Sequence, residues 1–119
     1  MELDFFNSVI EGQIENCREM LIKKAEEYAT EDRLHNFKVA AEMQGIEMDQ
    51  ALAGMMAKHT VSIYDMIASG DPYPQDQWEE KITDHINYLL LLKAIVANRF
   101  RSVDAAEKYD IHLEDNKRY

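Results

Sequence analysis

The chain has 119 residues, which suits one domain and leaves little room for two. Its formal net charge of −10 repels DNA and RNA, whose affinity for proteins is dominated by basic contacts to phosphate, so no duplex reader is expected, while a small phosphorylated molecule needs only a few local cations. A 46% hydrophobic content allows a real but modest core that oligomerisation would enlarge, and only four Gly and two Pro favour long helices over many short strands.

The first helix is expected from about Asp4 to Ala29. Ile10, Ile14, Cys17, Leu21, Ala25 and Tyr28 recur at steps of four, three, four, four and three, one stripe of a helix that needs a partner along its length. A second helix covers about Asp32 to Gln44, with Leu34, Phe37, Ala41 and Met43 as its less polar positions, and Gly45-Ile46 reads as a C-terminal stop. A third runs from about Asp49 to Ser69 and stops at Gly70, with Leu52, Met56, Ile63 and Met66 on its core face. Residues 70–76 form the clearest loop. Asp76, with Glu79 as capping partner, opens a fourth helix that reaches about Arg101. Its second half, around Leu89-Leu90-Leu91-Leu92, is apolar nearly all round and is expected to be central and buried. A short fifth helix is expected near Val103 to Tyr109. The fold class is therefore all-α: a helical bundle of four main helices plus a short C-terminal helix, one domain over 1–113 with a frayed tail over 114–119.

Cys17 is the single cysteine, so no intrachain disulfide forms and a reducing compartment fits. Met1-Glu2-Leu3-Asp4 opens no signal peptide, and no stretch nears the roughly 18 apolar residues of a membrane span. A cytoplasmic protein with no membrane partner is expected.

Three polar clusters carry the candidate chemistry. On the fourth helix Glu80, Asp84 and Asn87 stand at i, i+4 and i+7 and share one face, which continues through Leu91 and Ile95. Two carboxylates that run into a buried stripe repel each other and need a proton or a cation. A hard divalent ion such as Mg²⁺, which takes oxygen ligands and keeps phosphate in its shell, is the matching cofactor. The plainer reading is that Glu80 is solvated and pairs with Lys81. On the third helix Lys58, Ser62 and Asp65 share a face and His59 neighbours Ser62. Lys, His and Ser donate to phosphate oxygens, but His59 also falls on the core stripe between Met56 and Ile63. At the junction of the first two helices lie Tyr28, Asp32, Arg33, Asn36 and Phe37. Arg33 suits a bidentate phosphate clamp, Asn36 a base edge, and Tyr28 or Phe37 a stacked ring. The alternative there is an ordinary corner in which Asp32 caps a helix and Phe37 packs in the core. No Gly-rich phosphate loop, paired-cysteine motif or nucleophile elbow is present.

The segments Glu27-Tyr28-Ala29, Asp32-Arg33-Leu34-His35-Asn36-Phe37, Lys58-His59-Thr60-Val61-Ser62-Ile63 and Trp78-Glu79-Glu80-Lys81-Ile82-Thr83-Asp84-His85-Ile86-Asn87-Tyr88 together resemble the nucleotide modification associated domain 1 family of phage and bacterial proteins. The resemblance covers about residues 15–97 and implies a role in nucleotide metabolism inside a bacterial or phage-infected cell. The layout is more distantly similar to the MazG-like all-α nucleoside triphosphate pyrophosphatases. Those are helical bundles that assemble as dimers or tetramers, hold Mg²⁺ on Glu-Glu-x-x-Glu and Glu-x-x-Asp motifs, and cleave a triphosphate to monophosphate and pyrophosphate. Here Glu31 is one residue too far from Glu26-Glu27, and Asp84 one too far from Glu80; one extra residue rotates a helical side chain by about 100°.

Together these readings place Mg²⁺ on Glu80 and Asp84 with Asp32. They place a nucleotide or related phosphorylated molecule on Arg33, Lys58, His59, Ser62 and Lys81, with Tyr28, Asn36, Phe37, Asn87 and Tyr88 around base and sugar. A Mg²⁺-dependent nucleotide pyrophosphohydrolase is one outcome. A non-catalytic phage protein that sequesters a nucleotide signal is the second, and a structural helical oligomer, with the polar clusters as interhelical pairs, the third. A homo-oligomer is expected in each.

Overall fold

The structure is a computed structural model and describes residues 1–27 and 32–101, leaving aside the side chain of Ala25. Four helices, α1 (Leu3–Glu27), α2 (His35–Gln44), α3 (Met48–Ser69) and α4 (Gln75–Arg99), build it, so the chain is the all-α bundle its periodicity predicts. Tyr28, the short fifth helix and the tail lie outside the described residues.

Each helix end has a local cause. Gly45 sits at φ 66°, where Ile46 N–H reaches the Ala41 carbonyl at 3.0 Å and Gly45 N–H reaches Glu42 at 3.3 Å, closing α2 with the left-handed stop expected there. Gly70 ends α3 in the same conformation, φ 67°. The start of α2 is later than expected. The Asp32 carboxylate accepts the Leu34 N–H at 2.9 Å and its carbonyl accepts His35 N–H at 3.1 Å, so a side-chain-closed turn replaces the first helical turn. Glu47 and Gln50 form a capping box ahead of α3. The box expected at Asp76 and Glu79 does not form: Pro74, extended and without an N–H to lose, is the N-cap of α4, and Glu79 bonds Gln75 at 3.4 Å instead.

α3 and α4 run antiparallel. Thr60 meets His85 at 3.0 Å, His59 stacks on Tyr88 at 4.8 Å, and Asp49 pairs with Arg99 near the far end. The bond to the Arg99 guanidinium holds the Asp49 carboxyl below its ordinary range, so whatever this exposed pair contributes is present above that range and lost as acid protonates it. α1 runs parallel to α4: Gln13 donates to Thr83 Oγ1 at 2.9 Å, and further along Cys17 and Leu21 share a groove with Ile86 and Leu90. α2 covers the other end, where Phe37, Leu52 and Ile95 form the core with Leu34, Met48, Met55, Met56, Tyr88, Leu91 and Leu92 around them.

Two surfaces are more open than periodicity suggests. The second half of α4 is not buried all round: Ile95 is, but Leu89 and Leu90 are exposed, because α1 and α3 cover only part of its circumference. On α1 the first ten residues of the chain are all exposed, Leu3, Phe5, Phe6, Val9 and Ile10 among them. Among the described residues no helix is long and apolar enough to cross a membrane.

Candidate binding cleft on the polar stripe of α4

Consecutive residues of a helix point about 100° apart, and the printed contacts fix which way each side of α4 faces. Thr83 points to α1 and His85 to α3, so Asp84 points between the two. The stripe is graded along two turns: Glu80 exposed, Asp84 half-buried, Asn87 buried at 6% exposure. On α3 the pairing of His59 with Tyr88 and of Thr60 with His85 sets the matching rotation. Ser62 and Lys58 follow on the His59 side, which is the side Asp84 and Asn87 face. The two polar clusters that the sequence placed on separate helices therefore lie toward the same side of the α3–α4 pair, the candidate cleft between α1 and α3.

The electrostatics of the cleft are unbalanced. Among the described residues Asn87 finds no hydrogen-bond partner for its amide nitrogen or its amide oxygen, both of them buried. A buried amide left unpaired costs roughly 1–3 kcal/mol, and such groups are rare enough to need a reason. Among the described residues neither Glu80 nor Asp84 has an ion pair, and the pairing of either with Lys81 is not formed. Lys58 is exposed at the rim, while His59, Ser62, Lys81 and Tyr88 are half-buried. His59 is held by its stack on Tyr88 and His85 by Thr60, so both rings have fixed orientations.

The junction cluster is separate from this cleft. Phe37 is in the core against Leu52 and Ile95. Asp32 spends its carboxylate on the turn before α2, and among the described residues no three His, Cys, Asp or Glu side chains gather as a metal-ligand group, so Asp32 does not join Glu80 and Asp84. Arg33 Nη2 donates to the Leu21 carbonyl at 3.3 Å and ties the start of α2 to α1. Asn36 is exposed. Sequence reasoning assigned no role to Thr83 and Gln13, although their bond fixes α1 against α4. A threonine amid the carboxylates of α4 was the available signal, but Gln13 lies seventy positions away and periodicity does not pair it.

The donor set suits a hard cation. Mg²⁺ is commonly held by one or two carboxylates, completed by waters and by the phosphate of its ligand; Glu80 and Asp84 supply two, one turn apart, with the Asn87 amide oxygen on the same stripe. Comparison with models of protein families, with curated proteins and with solved structures finds no match to this chain.

Proposed function

We propose that this chain binds a nucleotide or a closely related phosphorylated small molecule, together with Mg²⁺, in the cleft between α1, α3 and α4, and that it works as an assembly of at least two chains. The observation that carries the reading is the buried Asn87 amide with donor and acceptor both unpartnered, set directly behind the half-buried and unpaired Asp84. A donor and acceptor side by side match the edge of a base or an amide, and a ligand that supplies both removes the cost of burying them. Glu80 and Asp84 hold the cation that neutralises them, and Lys58, His59 and Ser62 donate to phosphate oxygens from the opposite wall. The resemblance to MazG-like enzymes, which cleave nucleoside triphosphates with Mg²⁺, points to the same class of ligand. Bound there, Mg²⁺ would supply charge neutralisation on the phosphates.

The test is a panel of nucleoside mono-, di- and triphosphates, incubated with and without Mg²⁺ and followed by melting temperature and by chromatography of the nucleotide. A Mg²⁺-dependent rise in melting temperature with at least one member is expected. Appearance of monophosphate and pyrophosphate marks an enzyme, and a rise without product marks a binder. No rise with any member overturns the reading and leaves the structural oligomer. Asp84→Asn is expected to abolish the Mg²⁺ dependence while leaving the ligand-free fold as stable or more so, since one of two repelling carboxylates is removed. Destabilisation of that variant beside a parent indifferent to Mg²⁺ would assign Asp84 to a structural role. Lys58→Ala, at an exposed position, is expected to weaken binding by about 1.5–3 kcal/mol with no loss of stability.

A further inference from the structure

We propose that α1 pairs with the α1 of a second copy of this chain, antiparallel, about a two-fold axis near Gly12. The inference rests on the self-assembly part of the reading above and not on the nucleotide.

On α1 the residues Leu3, Ile10, Ile14 and Leu21 follow one another at steps of seven, four and seven, which at about 100° per residue puts all four within roughly 40° of one direction. The set is a palindrome about position 12. Reversed and laid on a second copy, Leu3 stands opposite the partner's Leu21 and Ile10 opposite the partner's Ile14. Self-complementarity of this kind is what an isologous two-fold interface requires. The two halves of the palindrome also differ in a matching way. Ile14 and Leu21 line a groove of about 640 Å³ that α1 forms with Ile86 and Leu90 of α4. Leu3 and Ile10 project from the exposed half of α1 and stay 71% and 44% open. The antiparallel copy brings its projecting half to this chain's groove and receives the reverse.

Area and charge choose the same occupant. Leu3, Phe5, Phe6, Val9, Ile10, Ile14 and Ile22 are 44–71% exposed. By the same rotation Phe5, Val9 and Ile22 turn away from the palindromic face, while Leu3, Phe6, Ile10 and Ile14 lie within about 60° of it and present roughly 400 Å² at about 150–200 Å² for each full side chain, an apolar patch that a second copy of the same face covers. Up to residue 17 the chain carries Glu2, Asp4, Glu11 and Glu15 and no basic side chain, whereas residues 18–24 carry Arg18, Lys23 and Lys24 against Glu19, with Glu26 and Glu27 beyond them. A parallel pairing would set four carboxylates beside four. The antiparallel one brings Glu2 and Asp4 to the end that holds Arg18, Lys23 and Lys24.

Light scattering on the full chain without nucleotide is the first test, and twice the 13.9 kDa of one chain, or a multiple of that pair, is expected. The double variant Ile10→Asp, Ile14→Asp should run as half the parent's assembly at unchanged helical content, since neither side chain is buried within its own chain. Ile82→Asp with Leu89→Asp, on the outer face of α4, should leave the α1 pair intact. Orientation is read by oxidising an equimolar mixture of Leu3→Cys and Leu21→Cys chains, in which the mixed disulfide should predominate. A monomeric parent, an assembly indifferent to the aspartates on α1, or predominance of the Leu3→Cys homodimer would each overturn the proposal. Because no nucleotide is present, these outcomes are independent of whether the cleft binds one.

Discussion

Asn87→Leu should stabilise the ligand-free protein and abolish nucleotide binding in the same step. The residue lies 6% exposed and among the described residues neither polar atom of its amide is partnered, so the fold carries its desolvation without a compensating bond. Leucine has the same forked shape and no polar atom, and it continues the stripe into Leu91; its methyls are bulkier than the amide, which offsets part of the gain. Replacing an unpaired buried polar group by an apolar one of similar shape returns roughly 1–3 kcal/mol, which for a domain of this size is a rise of several degrees in melting temperature. The ligand, in turn, loses the donor and acceptor that the cleft offers it. A variant that melts lower than the parent and binds equally well would mean that Asn87 is satisfied by ordered water, and the amide would then say nothing about a ligand.

Leu52→Ala is expected to give the largest loss of stability of any single truncation. Leu52 is 0% exposed and sits with Phe37 and Ile95 where α2, α3 and α4 meet, so three helices close on one side chain. Truncation removes its transfer free energy and leaves a cavity among partners that several elements hold in place. Leu→Ala changes at such sites cost about 3–5 kcal/mol, against a total stability for small domains of about 5–15 kcal/mol. The core cluster is small, so no second layer takes up the load. Chemical denaturation measures it: a midpoint shift worth under about 1 kcal/mol would mean that this junction is not the centre of the fold, while Ile95→Val should cost only about 0.5–1.5 kcal/mol.

The four helices were legible because the chain punctuates itself. Gly45 and Gly70 adopt the left-handed stops that glycine alone takes cheaply, and the apolar periodicity between them is unbroken. Starts were less legible than stops, since several polar residues compete to cap. Asp32 closes a turn instead of a helix, and Glu47 caps α3 although glutamate is a weak signal for that role. Of the candidate site, the shared face of Glu80, Asp84 and Asn87 follows from spacing within one helix. That Lys58 and Ser62 lie toward the same side does not, because it depends on the antiparallel register of α3 on α4, which His59 on Tyr88 and Thr60 on His85 set between distant positions. The apolar run on α4 misled for a related reason: periodicity reports that a face must be covered but not by which chain, and Leu89 and Leu90 stay exposed within one.

The side-chain amide of Asn87 is itself an observable, and it tests the cleft most directly. In a ¹⁵N-correlated NMR spectrum its NH₂ pair is assigned as the pair that Asn87→Leu deletes. On titration with nucleotide and Mg²⁺ this pair is expected to move, and to move further than the amides of Asn7 and Asn16, which are exposed on α1. If the Asn87 pair stays in place with every nucleotide at millimolar concentration, Mg²⁺ present, the cleft is not a nucleotide site.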